Sequence, residues 1–232
     1  MKYLYDTQLF VEKNEDMVEY LCKKGLIQEG KVAVTMKTVN RAEFCDYPEC
    51  AFYQAPQSIG WNATISAPYI HSLVLGVLSK NLKPGAKALD IGCGSGFLCP
   101  AMLSMMNFDG TVIGIEHIPE LAEKAVKNIS KSYEKELLSN KINILVRDGR
   151  EGFAEEAPYD CIHVGAASEE IPHALIEQLK IGGTLVIPIG LEEEEQDLIV
   201  CVRTSKDKIF TQSLTKICYV PLTSKKHQLC RI

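Results

Sequence analysis

The sequence predicts an α/β fold with a doubly wound sheet, parallel in its centre and with antiparallel strands at the C-terminal edge. Three features of the chain carry this prediction. Short apolar segments typical of buried strands alternate with segments of helical periodicity from residue 68 onwards. A glycine turn at residues 92–96 joins one such strand directly to a helix. Residues 198–203 alternate between apolar and polar side chains, which is typical of an antiparallel strand.

Length and composition favour one globular domain over residues 1–232, in which a helical segment (1–44) and a loop (45–68) precede the core (69–232). Hydrophobic residues make up 46% of the chain and charged residues 24%, which is ordinary for such a domain. The formal net charge of −5 offers no basic surface to nucleic acid. No apolar run approaches the roughly 20 residues of a membrane helix. We therefore expect neither a nucleic-acid nor a membrane partner.

The cysteines favour a reducing compartment, most simply the cytoplasm. There are nine of them, with no Cys-x-x-Cys pair and no Cys/His cluster at zinc-ligand spacing. Scattered thiols of this kind are usually small core residues. The N-terminus lacks the long apolar stretch of a secretory signal. We expect a cytoplasmic protein without a metal site.

The N-terminal part predicts two short helices and a long loop. Residues 14–25 carry an apolar stripe at helical spacing, with Asn14 as the N-cap and Gly25 at the end. A second helix is predicted around Val32–Val39. Residues 45–68 contain three prolines and little periodicity, so we expect a loop. A loop of this length in a compact domain is more often functional than idle.

A helix is predicted from Pro68 through Leu78, and strands then alternate with helices. The predicted strands are Ala88–Ile91, Thr111–Glu116, Ile142–Arg147, Tyr159–Val164, Thr184–Ile189, Leu198–Arg203 and Ile217–Val220. The predicted helices among them are Phe97–Met106, one that begins at Pro119, and Ile171–Leu179. Leu198–Arg203 is expected to pair backward with the preceding strand as an antiparallel hairpin, and the run Glu192–Glu195 falls in its turn. Four like charges in a row are expected to face solvent.

The glycine turn has the spacing of a site for S-adenosylmethionine. Gly92, Gly94 and Gly96 follow the strand that carries Asp90 near its end. A dinucleotide fingerprint has its third glycine at the sixth position, where this chain has Phe97. A Gly-x-Gly-x-Gly turn preceded by an acidic residue suits a ligand with an amino-acid moiety and no phosphate.

Two further groups are predicted at the same edge of the sheet. Glu116 ends the second strand, where a carboxylate can accept hydrogen bonds from both hydroxyls of a ribose. The alternative is that Glu116 is a solvated charge at a strand end. Asp148 and Gly149 form the turn after the next strand. Because ligands of doubly wound sheets bind beyond the carboxyl ends of the strands, these groups point to one pocket.

The loop before the first strand of the sheet identifies a family. Residues 55–68 read Ala-Pro-Gln-Ser-Ile-Gly-Trp-Asn-Ala-Thr-Ile-Ser-Ala-Pro, and Tyr69-Ile-His71 follows. This segment resembles the signature of protein-L-isoaspartate (D-aspartate) O-methyltransferases, particularly their eukaryotic branch. The likeness continues through the glycine turn to Val220-Pro-Leu-Thr223 and covers roughly residues 14–230. It implies the Rossmann-like fold of methyltransferases that depend on S-adenosylmethionine.

The resemblance implies a protein-repair reaction. A methyl group passes from S-adenosylmethionine to the free α-carboxylate of an L-isoaspartyl residue, or to the side-chain carboxylate of D-aspartate, in a damaged protein. S-adenosylhomocysteine is the product, and the methyl ester collapses to a succinimide that reopens partly to normal aspartate. The accepting carboxylate is already ionised at neutral pH, so the reaction needs alignment rather than a strong base. Damaged proteins are the expected partners, and we expect a monomer.

The resemblance also implies the residues of the site. Ser66 matches the family's residue beside the acceptor carboxylate; the alternative is a serine that caps the helix at Pro68. The positions expected to contact the cofactor are Ala63, Thr64, Ile65, Ser66, His71, Asp90, Gly92, Gly94, Ser95, Gly96, Glu116, His117, Asp148, Gly149, Thr223 and Gln228. Arg41 matches a family motif and is alternatively structural. His163 lies in a buried strand pattern and is expected to satisfy a core hydrogen bond.

Three other functions compete with this interpretation. One is a methyltransferase with another carboxylate acceptor. Another is a non-catalytic interaction module that retains the cofactor fold. A decayed site would be expected to lose some of its residues, whereas this chain keeps Ser66, Glu116, Asp148 and Thr223. The third, a nicotinamide-dependent dehydrogenase, is disfavoured by Phe97 in the glycine turn.

Overall fold

A computed structural model describes residues 12–27, 30–192 and 194–230. The strands are β1 (Gln57–Gly60), β2 (Ala63–Ile65), β3 (Ala86–Ile91), β4 (Gly110–Glu116), β5 (Ile142–Val146), β6 (Tyr159–Val164), β7 (Leu179–Ile189), β8 (Gln196–Ser205) and β9 (Lys208–Ile217). The helices are α1 (Asn14–Lys23), α2 (Lys31–Thr38), α3 (Pro68–Leu78), α4 (Leu98–Met105), α5 (Pro119–Leu138), α6 (His173–Glu177) and α7 (Lys225–Cys230). Short 3-10 turns lie at 41–44, 48–50, 149–151 and 154–156.

The main sheet has seven strands in the order β5-β4-β3-β6-β7-β8-β9. The pairs from β5 to β7 are parallel, whereas β8 and β9 pair antiparallel at one edge. The chain runs outward from β3 in one direction and then returns to place β6 on its other side. Such a reversal opens a crevice at the carboxyl ends of the strands. The predicted doubly wound sheet with antiparallel C-terminal strands is confirmed.

Apolar side chains cover both faces of the sheet. Alternate residues of β3 point to opposite faces, so Ala88 joins the cluster formed with α1–α5 whereas Leu89 and Ile91 join the cluster beneath α6. By the same period, Asp90 lies on the face of Ala88, and its register partner on β6 is His163. A carboxylate and an imidazole are therefore placed side by side at the switch point. No described helix is both long and apolar enough to cross a membrane.

The predicted cap at Asn14 is wrong. Asn14 is the first residue of α1, and the residue at the capping position is Lys13. The Asn14 amide instead donates to the carbonyl oxygens of Met36 (2.7 Å) and Lys37 (3.1 Å) and accepts from the backbone N–H of Arg41 (3.3 Å). These partners are distant in sequence, so a prediction from the residues around Asn14 does not find them. The bonds fasten α1 to the end of α2.

The segment predicted as a loop contains a β-hairpin. β1 and β2 pair antiparallel across the two residues Trp61 and Asn62, whose φ values are 50° and 56°. Positive φ at both positions is what a type I′ hairpin turn requires. The strands have only four and three residues, too short to show a period in sequence.

The predicted final strand at Ile217–Val220 is also wrong. β9 ends at Ile217, and the chain then leaves the sheet, because Tyr219 donates its N–H to the Gln196 side chain (2.7 Å) rather than to a strand. Most of β9 is exposed as the edge strand beside β8. An exposed edge strand lacks the apolar alternation on which the prediction depended. β7 is longer than predicted and begins at Leu179, and α6 is correspondingly shorter.

Candidate active site

The loop after β3 is held in a conformation that favours glycine at each of its alternate positions. Gly92, Gly94 and Gly96 have φ values of +69°, +52° and +87°. Their roles differ. Gly92 and Gly94 line cavities, whereas a Cβ at Gly96 would approach the side chains of Ala125 and Ile129 on α5 to 3.1 and 3.0 Å. Gly92 and Gly94 therefore present backbone to the cavities. Gly94 and Gly96 also allow close packing, because a Cβ at Gly94 would lie 3.0 Å from the Ile59 side chain and one at Gly96 would crowd α5.

Three cavities adjoin at the carboxyl ends of the strands. The edge cavity is lined by residues that include Glu116, His117, Gly149, Thr223 and Gln228. The loop cavity is lined by residues that include Ser66, His71, Asp90, Ser95 and His163. The outer cavity, of about 210 Å³, is lined by residues that include Pro56, Ser66, Tyr69, Ile217 and Tyr219. Thr64 lines all three, and Ser66 lines both the loop and the outer cavity, so the cavities meet at β2.

Glu116 is held in the wall of the edge cavity by two backbone groups. Its Oε2 accepts from the N–H of Gly94 (3.2 Å) and its Oε1 from the N–H of Ile118 (3.0 Å), and the residue is only 5% exposed. Burial raises the pKa of this carboxyl, while the two hydrogen bonds oppose the rise. Each carboxylate oxygen keeps a lone pair for another donor. Glu116 is thus not a solvated charge at a strand end.

The C-terminal segment closes over the edge cavity through Gln228. The side-chain oxygen of Gln228 lies 2.6 Å from Nε2 of His117, and its amide donates to the carbonyl of Trp61 (2.8 Å). Because an amide oxygen only accepts, His117 carries its proton on Nε2. The Asn62 amide donates to the Gln228 backbone carbonyl (2.9 Å), so α7 is bound both to the residue that follows β4 and to the hairpin turn.

The turn after β5 brings one of its two predicted residues to the cavity. Gly149 lines the edge cavity. The Asp148 carboxylate accepts from the Arg150 guanidinium at 2.5 to 3.1 Å, which lowers the pKa of Asp148. The contact of Asp148 with a ligand stays a prediction. Sequence reasoning missed Arg147, which also lines this cavity and pairs with Glu155 at 2.7 Å.

Ser66 is bonded to a residue that sequence reasoning did not single out. Its Oγ donates to the hydroxyl of Tyr219 (2.7 Å), and both side chains line the outer cavity. Desolvation raises the pKa of Tyr219 to about 12, so the phenol stays protonated. The residue that precedes α3 is Ala67, with no side-chain cap, so Ser66 does not cap that helix. Of its neighbours, Ala63 lines the edge cavity and Ile65 the loop cavity.

Buried ionisable groups line the loop cavity. Nδ1 of His163 lies 2.7 Å from Oδ1 of Asp90, which satisfies the predicted core hydrogen bond. Nδ1 of His71 lies 3.1 Å from Nη1 of Arg41, and the His71 ring stacks on Phe97 with centroids 4.6 Å apart. Burial lowers the pKa of His71 well below its ordinary value and that of the fully buried Arg41 to about 10. Arg41 also donates from Nε to the carbonyl oxygen of Ala51 (2.6 Å), which fits the structural alternative.

The described residues contain no group of three His, Cys, Asp or Glu side chains placed to hold a metal ion. All nine cysteines are free thiols, and burial raises the pKa of several, Cys45, Cys161 and Cys201 among them. The site consists of hydrogen-bonding groups around open backbone.

Comparison with known proteins identifies the family. The family model for protein-L-isoaspartate(D-aspartate) O-methyltransferase matches residues 12–227. The chain belongs to this family. Protein-L-isoaspartate O-methyltransferase 1 of Arabidopsis thaliana is 46% identical over 220 residues, 94% of this chain and 95% of that protein. The enzyme of Caenorhabditis elegans is 41% identical, with coverage of 93% and 94%.

A solved structure from the same family agrees with the fold. A Plasmodium falciparum protein described as a protein-L-isoaspartate O-methyltransferase, in complex with S-adenosyl-L-homocysteine, superposes with a TM-score of 0.84 at 32% identity. The match covers 91% of this chain and 98% of that protein. The predicted family, its Rossmann-like methyltransferase fold, its enzyme class and its dependence on S-adenosylmethionine are confirmed.

The residues of this chain fit the cofactor of the family. Gly92 and Gly94 present backbone without side chains, and Glu116 retains acceptor capacity for hydroxyls. The Nε2 atom of His163, a residue of the loop cavity, is buried and has no partner among the described residues. A buried polar atom of this kind is costly unless a ligand satisfies it.

Proposed function

We propose that this chain repairs damaged proteins by transferring a methyl group from S-adenosylmethionine to the free α-carboxylate of L-isoaspartyl residues. The nucleoside end occupies the edge cavity, the amino-acid end the loop cavity, and the acceptor residue the outer cavity. The observation that carries the proposal is the meeting of all three cavities at Thr64, with Ser66 between the loop and outer cavities. A methyl group and its acceptor approaching from different cavities meet there.

The reaction requires the protein to align the acceptor carboxylate with the methyl group and does not require a general base. Bound S-adenosylmethionine supplies a methyl group activated by its positively charged sulfur. The acceptor carboxylate is ionised near neutral pH, so no side chain has to remove a proton. Ser66 and Tyr219 present two hydroxyls joined by one hydrogen bond at 2.7 Å, and either can donate to a carboxylate oxygen. Holding that oxygen in line with the methyl group lowers the barrier by proximity and orientation.

The nucleoside end is held by groups from several elements. Glu116 accepts from the ribose hydroxyls, and Gly149 with Asp148 borders the adenine. Thr223 and Gln228 cover the cavity from the C-terminal side, and His117 supports Gln228 through their 2.6 Å contact. Closure by these groups keeps water from the activated methyl group.

The wider setting of the reaction is part of the same proposal. Damaged proteins that contain L-isoaspartate are the partners, and D-aspartyl residues present a similar free carboxylate. We propose a cytoplasmic monomer, in keeping with nine free thiols. The net charge of −5 gives no electrostatic attraction to nucleic acid.

Conversion of a peptide tests this function. The protein is incubated with S-adenosylmethionine and a synthetic peptide that contains one L-isoaspartyl residue, and products are followed by chromatography and mass. We expect methyl ester, then succinimide, then the normal aspartyl peptide. Binding of the cofactor without any ester would contradict L-isoaspartate as the acceptor.

A further inference from the structure

The chain beyond β9 forms a strap, residues 219–223, that runs from the outer cavity to the edge cavity. Tyr219 lines the outer cavity, and the four residues after it line the edge cavity. Hydrogen bonds fasten the strap from two sides. On one side, Ala167 accepts from the N–H of Leu222 (2.6 Å) and donates its own N–H to the carbonyl of Val220 (2.8 Å).

On the other side, the side chain of Gln196 holds the main chain of Tyr219. Its Oε1 accepts from the N–H of Tyr219 (2.7 Å), and its Nε2 contacts the Tyr219 carbonyl oxygen at 3.5 Å. The same Nε2 donates to the carbonyl of Leu191 (3.1 Å). Gln196 is the first residue of β8 and is only 1% exposed. The buried amide thus offers Tyr219 the acceptor and the donor that a neighbouring strand would offer.

A glycine leaves the space that this amide occupies. Gly190 has a φ of +152°, and a Cβ there would lie 2.9 Å from Cγ and 3.0 Å from Cα of Gln196. A side chain at residue 190 would therefore push against Gln196 in a conformation that already favours glycine. The local fold is built around the Gln196 side chain.

The side chain of Tyr219 extends to the acceptor site. Oγ of Ser66 donates to the Tyr219 hydroxyl at 2.7 Å, so the phenol keeps its own proton for a further acceptor. Both side chains line the outer cavity. Because a tyrosine has only two side-chain torsions, a fixed main chain leaves its hydroxyl few positions. The contact with Gln196 therefore restricts where this hydroxyl can lie.

We propose that Gln196 is a positioning residue for methyl transfer. Its amide fixes the main chain of Tyr219, which presents its hydroxyl together with Ser66 to the carboxylate that accepts the methyl group. Gln196 is buried and acts only through Tyr219. The inference rests on the proposed function, because the outer cavity receives the acceptor only if that function holds. A small displacement of an aligning group is enough to slow a reaction that depends on orientation.

A double-mutant cycle tests this role. Gln196→Met keeps the approximate length of the side chain but lacks the amide, and Tyr219→Phe removes only the hydroxyl. With an isoaspartyl peptide and saturating S-adenosylmethionine, we expect each substitution to lower kcat/KM for the peptide by about tenfold. The double variant should lose no more than Tyr219→Phe alone, because both changes act through one hydroxyl. Losses that multiply in the double variant, or an unchanged kcat/KM in Gln196→Met, would overturn the proposal.

Cofactor affinity gives a second readout on the same proteins. We expect the affinity for S-adenosylhomocysteine, measured by calorimetry, to change little in Gln196→Met. The reason is that Ala167 still fastens the part of the strap that borders the edge cavity. A loss of cofactor affinity as large as the loss of kcat/KM would contradict a role confined to the acceptor.

Gln178→Met is a matched control for the loss of a buried amide. Gln178 is 7% exposed and bonds to main chain in the same way, accepting from Phe153 (2.8 Å) and donating to Glu151 (2.7 Å). We expect a similar loss of stability in urea unfolding, with kcat/KM for the peptide retained. An equal fall of kcat/KM in Gln178→Met would reduce the effect of Gln196 to stability and overturn the proposal.

Gln196→Glu provides a variant that does not leave the Tyr219 N–H unpaired. Its carboxyl oxygen can accept from that N–H, so we expect a kcat/KM between those of the wild type and Gln196→Met. If Gln196→Met does not fold, the cycle is run with Gln196→Glu, and losses that multiply with Tyr219→Phe again refute the role. Wild-type protein that binds S-adenosylmethionine but methylates no isoaspartyl peptide would instead contradict the proposed function.

Discussion

Glu116 shows how a single side chain joins the glycine turn to the residue that precedes α5. Each of its carboxylate oxygens accepts one backbone N–H, from Gly94 on one side and Ile118 on the other. These bonds fix the carboxylate at the end of β4 before any ligand arrives. A fixed carboxylate loses little conformational freedom when it accepts from a ribose.

Removal of the Glu116 side chain should weaken the binding of the cofactor. We expect Glu116→Ala to lower the affinity for S-adenosylhomocysteine at least about tenfold, because two hydrogen bonds to hydroxyls are lost. Calorimetry is the measurement, and Glu120→Gln, which changes an exposed acid at the start of α5, is the control. An affinity unchanged in Glu116→Ala would refute the ribose role.

Ser66 should affect turnover more than cofactor binding. We expect Ser66→Ala to lower kcat by about tenfold, since one donor to the acceptor carboxylate is lost, while the affinity for S-adenosylhomocysteine changes little. Initial rates with an isoaspartyl peptide and calorimetry together separate these effects. Ser79→Ala, at the half-buried residue that follows α3, is a matched control. A collapse of cofactor affinity would make Ser66 part of the cofactor site instead.

Motifs in the sequence predict most of the residues of the site but not their partners. Glu116, Ser66 and the glycines all line or border the cavities at the predicted edge. Tyr219 was missed because its partner Ser66 is 153 residues away in the chain. His163 bonds to Asp90 as predicted and also lines the loop cavity, which its buried strand position does not reveal in sequence.

At the scale of elements, the hairpin β1–β2 and helix α7 form the cover of the edge cavity. Gln228 joins them, with one bond to His117 and two to the turn at Trp61 and Asn62. Both partners lie outside the main sheet. Gln228 therefore joins α7 to the hairpin, while Ile59 and Ile65 of the hairpin pack into the main core.

Loss of the Gln228 side chain should loosen this cover. We expect Gln228→Ala to speed amide hydrogen exchange across residues 57–65 and to lower the affinity for S-adenosylhomocysteine by roughly threefold to tenfold. Lys226→Ala, an exposed position on the same helix, should change neither. Exchange rates equal to those of the wild type would show that α7 does not hold the hairpin.

The parallel core strands could be predicted from sequence because burial on both faces makes them continuously apolar. The hairpin β1–β2 and the bounds of β9 could not be predicted in this way. β1 and β2 are too short for a period, and β9 is held by its pairing with β8 rather than by burial of one face. The elements missed are those held by pairing with the adjacent strand of a hairpin rather than by burial of an apolar face.

At the scale of the whole molecule, the buried His71 couples stability to pH. Burial holds its pKa well below the ordinary value of 6.5, so folding favours the neutral ring. As the pH falls below 6.5, the unfolded chain therefore binds more protons at His71 than the native protein does. The free energy of unfolding decreases over this range, down to the lowered pKa of the native state.

We expect the free energy of unfolding to decrease between about pH 7 and about pH 5, and to decrease less in His71→Asn. Urea unfolding across this range measures both slopes. The raised pKa of Glu116 acts in the opposite direction and is common to both proteins. Parallel slopes for the two proteins would contradict a neutral His71 in the native state.

The central claim is that cofactor and acceptor enter separate cavities and meet at Thr64 and Ser66. The most direct measurement is a crystal structure of the protein with both S-adenosylhomocysteine and an isoaspartyl peptide. We predict the peptide in the outer cavity, with its free carboxylate bonded to Ser66 and facing the sulfur in the loop cavity. A peptide bound elsewhere, or a carboxylate turned away from Ser66, would contradict the account.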